Sequence, residues 1–207
     1  MLHGSKEGIP MTTIEIIRGG NVLASVSAER EAQLLYKGAY ELGDEIRFTT
    51  DYEYAVVQVD QAVKPARVYL PGKAFTYRLP LEGINPAVYA PGAFTGEMHV
   101  MSIKPDEYRG YRNLAENPAD QRGGVTCYPH ATANVETRDE SWFCARNTID
   151  GEHIADGHGP WPYGSWGIGA RTDAELTLDF GRKVEVDKMV LYLRADFPHD
   201  AYWIQGT

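Results

Sequence analysis

The side chains best suited to recognising a ligand gather in one stretch of the second half of the chain. Asp150-Gly-Glu-His-Ile-Ala-Asp-Gly-His-Gly159 places three carboxylates and two imidazoles within ten residues, and Trp161-Pro-Tyr-Gly-Ser-Trp166 follows directly. Sugars offer an apolar C–H face that stacks on an aromatic ring, and hydroxyls that need planar hydrogen-bonding partners. His158, Trp161, Tyr163, Trp166 and Arg171 supply both kinds of contact. The same chemistry recurs near the end of the chain in Arg194, Asp196, His199 and Trp203. These nine residues form the candidate ligand-binding set. The plainer alternative is that Trp161 and Trp166 plug one end of a sandwich, as large aromatics commonly do.

Catalytic signatures are poor. The sequence contains no Gly-x-Ser-x-Gly elbow, no His-Glu-x-x-His, no phosphate-cradling Gly-x-x-x-x-Gly-Lys and no dinucleotide fingerprint. Acid pairs such as Asp150 with Asp156, or Asp196 with Asp200, have the residue types of glycoside hydrolysis, which depends on their separation in space. Cys127, His130 and Cys144, even with His153 and His158, do not have zinc spacing. No catalytic residue is assigned. With only two cysteines, no disulfide framework organises the fold.

The elements that must position these groups read as strands. Short runs such as Thr12–Arg18, Asn21–Ser27, Tyr54–Asp60 and Glu97–Ile103 alternate apolar and polar residues and are bounded by Gly, Pro or Asp. Gly19-Gly20 between the first two reads as a hairpin turn. Only 29–40 is ambiguous, with Ala32, Leu34, Leu35 and Ala39 also compatible with a helix. Gly 21 and Pro 12 suit a turn-rich β protein better than a helical bundle. The expected fold is all-β, two β-sandwich (jelly-roll-like) units over 12–107 and 126–207. A polar connector over 108–125 joins them, with one helical turn expected at Asp106–Arg112.

Charge narrows the partners. Lys+Arg 20 against Asp+Glu 29 leaves a net charge of -9, which argues against affinity built on nucleic-acid phosphates or anionic lipid. No run approaches the length of a membrane span. The polar leader before Met11 lacks the basic start and apolar centre of an export signal, so a cytoplasmic location is expected. Beyond residue 125 lie all four Trp and four of the six His, with 13 acidic against 7 basic residues.

That second region has a recognisable order. Ala145-Arg-Asn-Thr-Ile-Asp-Gly151 is followed by a Trp- and Gly-rich loop, then Ala174-Glu-Leu-Thr-Leu-Asp-Phe-Gly181, Val184-Glu-Val186 and Lys188-Met-Val-Leu-Tyr-Leu-Arg194. Over about residues 131–203 this resembles the start of discoidin-like (coagulation-factor C-type) domains and the related galactose-binding-like carbohydrate-binding modules. The resemblance implies a short galactose-binding-like second unit and a non-catalytic glycan-binding role. The alternatives are an accessory part of a glycan-processing enzyme or a protein-interaction module. It also implies a structural Ca²⁺ held by Asp150, with Glu152 and Asp156 as helpers, since hard oxygen ligands from a tight turn suit that ion. The competing reading has Asp150 closing its own turn. The loop from Glu152 to Thr172 is longer than the family's, and either the second unit is truncated or the strands needed to complete it come from the first region or from a second copy.

Overall fold

The computed structural model describes residues 9–81 and 86–194. Eight strands fill the first half: β1 (Thr12–Arg18), β2 (Asn21–Ala28), β3 (Ala32–Lys37), β4 (Glu45–Thr50), β5 (Tyr54–Gln58), β6 (Ala66–Tyr69), β7 (Ala74–Arg78) and β8 (Met98–Pro105). The second half adds β9 (His130–Ala133) and β10 (Leu176–Asp179). The protein is all-β, and no α-helix occurs among the described residues.

Every strand pairing is antiparallel, in sheets ordered β2-β1-β4-β7 and β3-β8-β5-β6 with a separate β9-β10 pair. Alternation along the strands decides what lies between the two larger sheets. Ile14, Ile16, Ile46, Phe48, Phe75 and Tyr77 from one meet Leu34, Ala55, Val57, Val68, Met101 and Ile103 from the other in a single core. Phe48 and Phe75 face each other across β4 and β7 with ring centroids 4.9 Å apart. Gly19 and Gly20 turn the first hairpin at φ +54° and +81°, a left-handed pair that side chains resist.

The ambiguous stretch is a strand. β3 pairs with β8 along all six residues, burying Ala32 and Leu34 and exposing Gln33 and Leu35. An available partner strand outweighs local helix propensity here. The helical turn expected at Asp106–Arg112 is also absent. Asp106 instead donates its amide to the Tyr54 carbonyl and accepts the Tyr108 amide on its side chain (3.1 Å), which fixes an Asx-type turn.

The polar stretch expected as a connector is solvated at both ends but buried in its middle. Asn117, Ala119, Asp120 and Gln121 are buried. Gln121 reproduces a strand's hydrogen bonds on β7, accepting from the Arg78 amide (3.0 Å) and donating to the Arg78 carbonyl (2.6 Å). Thr126 donates to the Ala74 carbonyl, and Tyr128 exchanges both backbone bonds with Tyr69 on β6. Segment 117–128 therefore covers one edge of each large sheet, β7 in one and β6 in the other.

The second half is less regular than its sequence suggests. Of the expected strands, only Leu176–Asp179 pairs, against β9. Residues 184–194 are irregular, and Val186, Met189, Val190, Leu191, Tyr192 and Leu193 are exposed. No partner strand runs beside them among the described residues, so alternation has no buried face to serve. Short 3-10 turns (Thr137–Asp139, Ser141–Phe143, Ala145–Thr148) carry the chain between β9 and the Trp loop.

Candidate ligand cleft where the sandwich meets the Trp loop

A cleft of about 180 Å³ opens between the loop joining β5 to β6 and the 146–161 segment. Lys64, Tyr89, Arg146, Asp150, Glu152 and Trp161 give it its chemistry, and Val63, Val88 and Pro118 form apolar wall. Its sandwich side is set by Asp60, fully buried, whose carboxylate accepts the Ala62 amide (2.9 Å) while its carbonyl accepts the Val63 amide. That tight turn delivers Lys64 to the rim.

Arg146 is the fixed cation. It is 4% exposed, donating Nε to the Asp120 carbonyl (2.9 Å) and Nη2 to the Pro118 carbonyl (3.1 Å). Its guanidinium carbon stands 5.1 Å from the centre of the Tyr89 ring, whose hydroxyl accepts from the Tyr77 hydroxyl at 2.9 Å. Asp150 is 8% exposed. Burial lifts its carboxyl from 3.8 to about 6, and the attraction of Arg146 only partly offsets that. Glu152 ties the cleft together, since one carboxylate oxygen accepts both the Lys64 ammonium (3.0 Å) and the Trp161 indole N–H (3.2 Å). Lys64 also donates to the Gly151 carbonyl, and the Trp161 amide to the Ala87 carbonyl. Trp161 is thus anchored through its indole N–H and its backbone amide while remaining 36% exposed.

The structure brings Asp150, Glu152 and Trp161 together from the residues singled out by sequence. The others stand apart from the cleft lining. Tyr163 folds against Gly157, and Trp166 is half-buried with its N–H on the Val135 carbonyl. Arg171 forms a bidentate pair with Asp173. Arg194 donates to the His158 imidazole at 2.8 Å. Asp196, His199 and Trp203 lie outside the described residues. Lys64 and Tyr89 escaped sequence reasoning because nothing local marks them, and Arg146, although inside the Ala145–Gly151 motif, carries no sequence sign of its burial.

Asp150 closes its own turn, accepting the Glu152 amide at 2.9 Å. Asp156 is exposed, and among the described residues no group of three or more His, Cys, Asp or Glu is placed to hold a metal ion. Cys127 and Cys144 are buried free thiols, their pKa values raised chiefly by burial, Cys144 to about 12. Neither has the character of a nucleophile. No protein-family model matches the chain, and neither a curated protein nor a solved structure matches it.

Proposed function

We propose that the cleft binds an uncharged carbohydrate without turning it over. The observation that carries this reading is a partly exposed Trp161, held by its indole N–H and its backbone amide, beside two cations and two carboxylates. Trp161 offers a stacking face, and Lys64, Arg146, Asp150 and Glu152 offer donors and acceptors for hydroxyls. With Asp150 ionised, the four charges cancel, which suits a neutral ligand better than a charged one. The volume is below the ~300–1,000 Å³ of pockets for drug-sized molecules, so a single ring or a chain end fits. The galactose-binding-like resemblance of residues 131–203 points the same way.

Titration calorimetry against a panel of neutral mono- and oligosaccharides tests this. Trp161→Ala should weaken binding at least about tenfold, the scale of one aromatic stacking contact, with little change in melting temperature. Chromogenic glycosides should remain intact. A wild-type protein that binds no member of the panel, or a Trp161→Ala variant that binds as well as wild type, overturns the proposal.

A further inference from the structure

A second surface, distant in sequence from the Trp loop, gathers arginines onto tyrosine rings. On the outer face of β5 and β6, Tyr54 pairs in register with Tyr69, their ring centroids 5.2 Å apart, and Arg67 lies on the same face. The Arg182 guanidinium carbon stands 5.2 Å from the Tyr54 ring centre and 5.0 Å from that of Tyr69. Arg109 approaches the same Tyr54 ring at 5.5 Å, and Arg67 the Tyr108 ring at 5.1 Å. Gly181 makes this possible, because its φ of +65° seats the turn on Tyr128, where a Cβ would fall 2.6 Å from the ring.

Burial lowers the pKa of Arg112, and the charges of Arg182 and Arg67 act in the same direction, against Asp106 and Glu116. Asp106 is buried beneath, paired with Arg67, and its carbonyl accepts Arg109. Asp187 accepts the Tyr111 hydroxyl nearby. Three guanidiniums gathered over neighbouring rings are conspicuous in a chain of net charge -9, and an anion would relieve their mutual repulsion.

We propose that Arg67, Arg109 and Arg182 form a binding surface for an acidic polysaccharide, one bearing carboxylate or sulfate groups. Guanidiniums held over aromatic rings are pre-organised forks, suited to bidentate contact with either anion. A nucleic acid fits less well: the tyrosine faces that would stack bases already carry guanidiniums, and the overall negative charge opposes a polyphosphate. The surface is separate from the Trp161 cleft, and its proposal stands whether or not that cleft binds sugar.

The test measures binding of the full chain to polygalacturonate, dextran sulfate, unmodified dextran and duplex DNA at low and high salt. The wild type should bind one or both acidic polymers at low salt and weaken as salt rises, whereas any dextran held by the Trp161 cleft should be insensitive to salt and unchanged in Arg109→Ala and Arg182→Ala. Arg109→Ala and Arg182→Ala should each weaken binding at least about tenfold, and Arg182→Lys should lose affinity although it keeps the charge. Trp161→Ala should leave this binding unchanged. Arg109 is exposed and its hydrogen bonds reach only backbone carbonyls, so that variant serves even if Arg182→Ala fails to fold. No binding to either acidic polymer, equal or tighter binding to DNA, or full affinity in Arg109→Ala overturns the proposal.

Discussion

Asp150 sits where its charge is unfavourable. Between pH 3.8 and about 6 the folded protein holds a proton on this carboxyl that the unfolded chain has released, so raising pH through that window removes stability. The full penalty, about 3 kcal/mol for a shift of this size, is present at neutral pH. Asp150→Asn keeps an oxygen for the Glu152 amide and removes the charge. It should raise the melting temperature at pH 7.5 and flatten the profile between pH 4 and 6, and a lower melting temperature at pH 7.5 would contradict the assignment. His130 acts in a higher window, one that opens at the ordinary histidine pKa of about 6.5. Its hydrogen bond to Asp120 (2.7 Å) is the main cause of a raised pKa, with burial opposing. That stabilisation is complete below the unfolded histidine pKa of about 6.5 and disappears as pH rises through the folded value. His130→Gln should therefore lose stability mainly at acidic pH and show a shallower decline on the alkaline side. Two thermal scans across pH, wild type and variant, check this.

Strand and loop segments differ in how they should respond to change. The apolar run at 189–193 is exposed without strand pairing, so it should bind a hydrophobic dye and promote association. Met189→Lys with Leu191→Lys should lower dye fluorescence and raise solubility with little loss of stability, because neither side chain contributes to the core. A large drop in melting temperature would show that these side chains are packed. This is also where the sequence misleads. Thr12–Arg18 and the strand within Tyr54–Asp60 were legible because each has one face to bury and a neighbour to pair with. Lys188–Arg194 has the same alternation without a paired neighbour among the described residues. At the cleft, Trp161, Asp150 and Glu152 were legible as residue types clustered in one loop. Lys64 and Arg146 were not, since 82 positions separate them and only tertiary packing makes them neighbours.

Across the whole molecule the two halves share buried groups. Trp142 and Cys127 join the core of the sandwich, while Arg146 binds the carbonyls of Pro118 and Asp120 and lies over Tyr89. Calorimetry should accordingly give one transition with matching calorimetric and van't Hoff enthalpies, and two resolved transitions would show that the halves melt independently. The wall formed by Gln121, Thr126 and Tyr128 has a further consequence. Unpaired strand rims are templates on which other copies can crystallise into fibrils, and here β6 and β7 are shielded only by chain that follows them. During synthesis both rims emerge from the ribosome before their cover exists, so the interval between residue 78 and residue 128 is when this polypeptide is most exposed to misassembly.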